Sequence, residues 1–187
     1  MRLFVALELS QEVRETIAAL IRELKPLDNS WKWTRADNLH VTLKFLGEIS
    51  QENLRKIAET LNHVRFGRPL ALKFRGLGFF PNERRPRVLW VGIDGPPELP
   101  ALAKGIEEVL ENVGVAKEDR AFTPHLTLAR NKERRVSQRL HEALAKYASQ
   151  DFGTVTAPDF HLIRSELKST GAEYTTLATF SSRRNPE

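Results

Sequence analysis

His40-Val41-Thr42-Leu43, inside the run LHVTLKFL at 39–46, and His125-Leu126-Thr127-Leu128, inside PHLTLAR at 124–130, are one four-residue pattern written twice. Both runs read as strands. In a strand, residues two apart share a face. His40 and Thr42 therefore project together while Val41 and Leu43 enter the core, and His125 and Thr127 do the same over Leu126 and Leu128. Each strand offers an imidazole and a hydroxyl side by side on an otherwise apolar plank.

The flanking sequence repeats as well. Upstream of the first motif, residues 2–8 (RLFVALE) have the apolar density of a buried strand. Ser10 caps a helix whose apolar face is Val13, Ile17, Leu20, Ile21 and Leu24, and Pro26 ends it. Downstream come a turn at Gly47, a helix capped by Ser50 with Leu54, Ile57, Ala58 and Leu61 inward, and a strand at about 70–75. The second half keeps the same order. A strand at 87–93 leads to a helix opened by Pro96, Pro97 and Pro100, carrying Leu102, Ile106, Val109 and Leu110 and ending near Gly114. The motif strand 124–130, a helix at 134–148, and strands at about 158–166 and 174–181 complete it. The motif histidines, 40 and 125, lie 85 positions apart, and the two opening strands are offset by nearly the same amount. This is an internal duplication, roughly 1–78 and 86–181.

The expected fold is α+β and bilobal. Two related strand-helix-strand-helix-strand units pack about a pseudo-two-fold axis, with antiparallel sheets lining a central cleft. The segment 78–87, with Gly78, Pro81, Pro86 and three arginines, reads as an exposed loop between the halves. Each half is small and the two share a cleft, so residues 1–187 are expected to form a single bilobal domain.

Bulk composition narrows the function classes. The chain has 187 residues, 41% hydrophobic and 28% charged, which is globular rather than disordered. It has no cysteine, which excludes disulfides and thiolate chemistry. No stretch approaches the roughly 20 apolar residues that span a bilayer, and the N-terminal apolar run is too short for a signal peptide. A cytoplasmic protein that works as a monomer is expected. The 29 Lys and Arg against 24 Asp and Glu give a formal charge of +5, which suits an anionic ligand such as a phosphate ester or RNA.

Two imidazoles facing one another, each beside a hydroxyl, suit in-line displacement at phosphorus. One histidine, neutral, takes a proton from the attacking oxygen; the other, charged, gives one to the departing oxygen. Thr42 and Thr127 can donate to the non-bridging phosphate oxygens, where charge develops. A single His-x-Thr-x is a weak signal, because half-buried strand histidines are common. The matched pair, in equivalent places of two repeated units, is what carries the argument. Two histidines are too few to hold a metal, and no carboxylate shares either motif, so neither metal nor cofactor is expected.

The sequence resembles the 2H phosphoesterases, and within them the RNA 2′,3′-cyclic phosphodiesterases also called 2′-5′ RNA ligases. The resemblance covers nearly the whole chain: MRLFVALEL at the start, LHVTLKFLGE at 39–48, FTPHLTLAR at 122–130, and a closing Ser165-Glu166-Leu167, Gly171, Tyr174. It implies a metal-free bilobal fold that hydrolyses a 2′,3′-cyclic phosphate at an RNA end, or on a related nucleotide, to a 2′-phosphate. It also implies that His40 is the proton donor and His125 the proton acceptor; the motif alone, being symmetric, does not say which is which. Run backwards, the same pair would join such an end to a 5′-hydroxyl.

Other residues are less decisive. Arg130 belongs to the TLAR block and suits bidentate phosphate binding. Strict alternation points it away from His125 and Thr127, so a strand end or bulge must redirect it. Alternation places Lys44 on the catalytic face or at a solvated strand end. Trp31, Trp33, Phe79 and Phe80 are candidates to stack on bases or to plug the space between lobes, with Trp33 foremost for stacking. His63, His141 and His161 read as structural or surface residues. Two alternatives remain: a phosphodiesterase acting on small nucleotide-derived cyclic phosphates, and an RNA-binding module without catalysis.

Overall fold

The computed structural model describes residues 1–169 and 171–182. Strand β1 (Arg2–Glu8) is buried on both faces: Leu3, Val5 and Leu7 enter the main core, while Phe4 and Ala6 face the opposite side. Helix α1 (Gln11–Leu24) starts where the Ser10 hydroxyl accepts from the Val13 N–H, and buries the five residues of its apolar face. A short strand β2 (Trp31–Trp33) and a 3₁₀ turn (Ala36–Asn38) lead into β3 (His40–Glu48), the first motif strand. Helix α2 (Gln51–Leu61), capped by Ser50, and β4 (Leu70–Phe80) come next.

The second half runs β5 (Val88–Asp94), α3 (Glu98–Glu111), β6 (His125–Asn131), α4 (Gln138–Ala145), β7 (Asp151–Ala157), β8 (Asp159–Lys168) and β9 (Gly171–Ser181). The strands form two antiparallel sheets, β3-β1-β8-β9 and β2-β6-β5-β4-β7. Equivalent strands occupy equivalent places: β1 beside β3, and β5 beside β6. The closing strands are exchanged, however. β4 leaves the first half to pair with β5, and β8 leaves the second half to pair with β1. The helices cross too, α1 packing on β7 and α3 on β3. One hydrophobic core runs through both sheets and all four helices.

The bounds of one strand and one helix are corrected, and two strands appear that were not expected. The strand expected at 70–75 continues to Phe80, passing a bulge at Gly76, where φ is +68°. Only residues beyond Phe80 are left to form the connecting loop. The helix expected from 134 starts at Gln138, because Arg134 takes φ +58° and the Ser137 hydroxyl accepts from Leu140 N–H. It ends at Ala145, short of 148. Strand β7 had no counterpart in the sequence pattern, since Gly153 bends it out of simple alternation. β2 is only three residues long and gives no periodic signal. No helix among the described residues is long and apolar enough to cross a membrane.

Candidate active site

His40 and His125 are the first residues of β3 and β6 and are anchored alike. The Nδ1 of His40 lies 2.6 Å from the Asn38 carbonyl oxygen, and that of His125 lies 2.8 Å from the Thr123 carbonyl oxygen. A carbonyl only accepts, so each Nδ1 carries the hydrogen and each Nε2 is left to take or give a proton. The anchor of His40 is itself braced. Arg14 of α1 donates to the Ala36 and Leu39 carbonyls, fixing the turn that presents Asn38, and the Asn38 amide donates to the Ala172 carbonyl of β9.

Val41 and Leu126 are fully buried, as are Leu43 and Leu128 or nearly so, while the histidines and threonines between them are half-buried. Beyond the threonines both strands break step. Ala6 pairs with Thr42 but Val5 with Lys44, so Leu43 is an extra residue; Trp90 pairs with Thr127 but Leu89 with Ala129, so Leu128 is another. These are the same bulge in the same place of each repeat. In β6 the Thr34 N–H donates to the Leu128 carbonyl at the bulge, and the Thr34 hydroxyl donates to the Thr127 carbonyl.

The bulge reverses the sidedness of the residues beyond it. Arg130 returns to the face of His125 and Thr127, opposite Val88, and lines the cleft. Lys44 goes the other way and is corrected: it borders the cleft beside Glu107 but is only 3% exposed, and its ammonium donates to Glu107 and to the Ala116 carbonyl, both at 2.9 Å. Phe45, at the position equivalent to Arg130, turns onto the face of Phe4 and stays 52% exposed.

A cleft of about 740 Å³ opens beside these strands, walled by Thr42, Phe45, Phe80, Phe122, His125 and Arg130, with α3 and the segment 118–123 closing its far side. His40 and Thr127 lie off its lining. His40 is enclosed by Phe4, stacked at 4.6 Å, and by Tyr174, edge-on at 5.2 Å. His125 has one such neighbour, Phe80 at 4.9 Å. Gly92 lies opposite His125, where a Cβ would come within 2.7 Å of the Arg75 carbonyl oxygen.

The surroundings hold both imidazoles below their ordinary range. Burial is the main cause for His40, opposed by the Asn38 carbonyl and reinforced by the positive charges of Arg14 and Arg130; its pKa is about 4. His125 is lowered by burial, opposed by the Thr123 carbonyl and reinforced by Arg130. Arg130 thus acts on both histidines. Burial also pushes the Tyr174 phenol up, opposed by Arg130 and Arg2.

The aromatic candidates are sorted by register. β2 pairs with β6 so that Trp31 faces Asn131 and Trp33 faces Ala129, both on the core side. Trp31 is 4% exposed, and Trp33 and Phe79 pack against the core. Of the four, Phe80 reaches the cleft. Phe45 and Phe122 join it there; neither was expected, because a bulge and a loop decide their direction. His161 is buried beside Ala6, its partner in the sheet, with its Nδ1 3.0 Å from the Thr179 hydroxyl. His63 and His141 are exposed. Among the described residues there is no cluster of three or more His, Cys, Asp or Glu suited to a metal.

Comparison with known proteins agrees with the duplicated fold. The chain matches the family described as LigT like Phosphoesterase twice in tandem, over residues 7–90 and 91–174. An RNA 2′,3′-cyclic phosphodiesterase of Archaeoglobus fulgidus is 38% identical over 180 residues, covering 96% of this chain and 99% of that protein. A protein of the same name from Aquifex aeolicus is 34% identical, with 96% of each covered. Among solved structures, a Thermus thermophilus protein superposes with a TM-score of 0.81 at 34% identity over 98% of both chains. The Escherichia coli LigT complexed with 3′-AMP gives 0.78 at 28% identity, again over 98% of both. With both of its repeats matched and the relatives aligned nearly end to end, the chain belongs to the LigT-like phosphoesterase family.

Proposed function

We propose that this protein hydrolyses the 2′,3′-cyclic phosphate at RNA ends to a 2′-phosphate, with His40 and His125 as general acid and base and no metal. The observation that carries the reading is the twin anchoring of the imidazoles, which leaves both Nε2 atoms free for proton transfer. The names of the full-length relatives supply the substrate class. In this reaction His125 Nε2 takes a proton from water as its oxygen attacks phosphorus. The bond from phosphorus to the 3′ oxygen breaks in line, and His40 Nε2–H protonates that oxygen. Thr42, Thr127 and Arg130 hold the non-bridging oxygens. The division of roles between the two histidines rests on the family resemblance.

In the free protein His40 is neutral at pH 7, since its pKa is about 4. An anionic phosphate beside it favours the imidazolium, so binding itself charges the acid. By microscopic reversibility the same groups would join the cyclic end to a 5′-hydroxyl. Both motif strands lie in one chain, so a monomer suffices.

The test is to incubate an oligonucleotide ending in a 2′,3′-cyclic phosphate with the protein in EDTA and identify the new end. A 2′-phosphate is expected, with His40→Asn and His125→Asn each lowering the rate by about 10²–10⁴-fold. A 3′-phosphate product, or activity abolished by EDTA, would refute it. A cleft of about 740 Å³ is also of a size for one nucleotide, which keeps small cyclic nucleotides in view as substrates.

A further inference from the structure

One row of side chains crosses the second sheet at the level of Arg130. Phe80 pairs with Val88, Val88 with Arg130, and Arg130 with Lys32 on the edge strand β2. Directly opposed residues share a face about 5 Å apart. Trp31 and Trp33 turn to the core, so alternation sends Lys32 to the face of Arg130.

The row changes character along its length. Phe80, Val88 and Arg130 line the cleft; Lys32 lies beyond it, on the far side of Arg130. Lys32 and Arg130 are both exposed, and among the described residues neither side chain has a hydrogen-bonding or ion-pairing partner. The adjacent pairs on these two strands, Trp31 with Asn131 and Trp33 with Ala129, bring no carboxylate. Like charges directly opposed weaken a strand pair. An anion between or beside them reverses that sign.

We propose that Lys32 binds the phosphate on the 5′ side of the terminal nucleotide, so that the protein favours substrates that carry it. The inference rests on the hydrolysis reading. With the reacting phosphate at Arg130 and the nucleobase in the aromatic cleft, the chain leaves over β2. The separation of Arg130 from Lys32 is that of neighbouring positions in a sheet, and long side chains can adjust it to successive phosphates.

Three substrates separate this from the parent reading: a nucleoside 2′,3′-cyclic phosphate with a 5′-hydroxyl, the same with a 5′-phosphate, and a dinucleotide with a cyclic end. The wild type should show higher kcat/KM on the two that carry a 5′ phosphate. Lys32→Ala should cut the ratio of kcat/KM with and without that phosphate about tenfold, and Lys32→Arg should restore it. On the dinucleotide, the slope of log kcat/KM against log salt should become shallower by about 0.7 in Lys32→Ala. A wild-type ratio near one, or a ratio untouched by Lys32→Ala, overturns the assignment of Lys32 alone. A wild type inactive on all three overturns hydrolysis, and the role of Lys32 with it.

Discussion

His40 and His125 share a motif and an anchor, yet their surroundings differ. His40 is enclosed by Phe4 and Tyr174 and feels both Arg14 and Arg130; His125 meets Phe80 and Arg130. Both are held below the ordinary imidazole range, so the neutral form of each extends to lower pH than for a free imidazole. Acid-base catalysis needs one of the two charged. In the free protein that condition is met at acid pH and is lost as pH rises. The profile of kcat/KM reports free-enzyme ionisations, and its optimum should therefore lie below about pH 6.5, the unperturbed histidine value. The profile of kcat should lie at higher pH, because bound phosphate favours the imidazolium. A kcat/KM that still climbs between about pH 7 and 8 would contradict the assigned environment. The motif gave the identity of these groups, since His and Thr two apart need only strand alternation. Their ionisation was not legible, because it comes from Phe4, Arg14, Arg130 and Tyr174, which meet His40 only after folding.

At the scale of the element, simple alternation described the motif strands correctly as far as Leu43 and Leu128 and failed at the next residues, Lys44 and Ala129. Leu43 and Leu128 insert without a glycine to mark them, so the bulge left no trace in composition. It changes the parts played by two cations. Arg130 comes back to the cleft, while Lys44 becomes a tie beneath it. The Lys44 ammonium binds Glu107 of α3 and the Ala116 carbonyl, and the same Glu107 oxygen accepts the Glu118 N–H. These bonds hold the start of the segment whose residues 118–123 wall the cleft and whose Thr123 anchors His125. Backbone N–H donation from Glu118, aided by Lys44, keeps the Glu107 carboxylate below its usual range. Lys44→Met preserves the aliphatic stem and removes the donor. It should cost about 1–3 kcal/mol of stability in chemical denaturation, the range for a buried hydrogen bond to a charged group. KM should rise, since the wall moves, and kcat should fall with it, since Thr123 of the same segment anchors His125. An equal KM with a lost kcat would mean that Lys44 acts at the chemistry instead.

The whole molecule departs most from a reading of two halves set side by side. The repeat was legible, and so were the two sheets' opening and motif strands. The exchange of closing strands was not, because an apolar strand at 70–75 carries no sign of which edge it will join. Pairing β4 to β5 and β8 to β1 leaves neither half with a complete sheet of its own. Each half alone would expose strand edges and the apolar faces that the exchanged strands cover. We therefore propose that the chain folds as one cooperative unit. The three tryptophans offer a direct check. Trp31 and Trp33 lie on β2 and Trp90 on β5, so all three report the second sheet. Far-ultraviolet circular dichroism reports both sheets and the helices. If the exchange couples them, denaturant midpoints by tryptophan fluorescence and by circular dichroism should coincide. A fluorescence transition displaced from the dichroism transition would mean that the sheets come apart separately. The cleft between them, with Arg130 acting on a histidine from each sheet, would then depend on two weaker bodies rather than one.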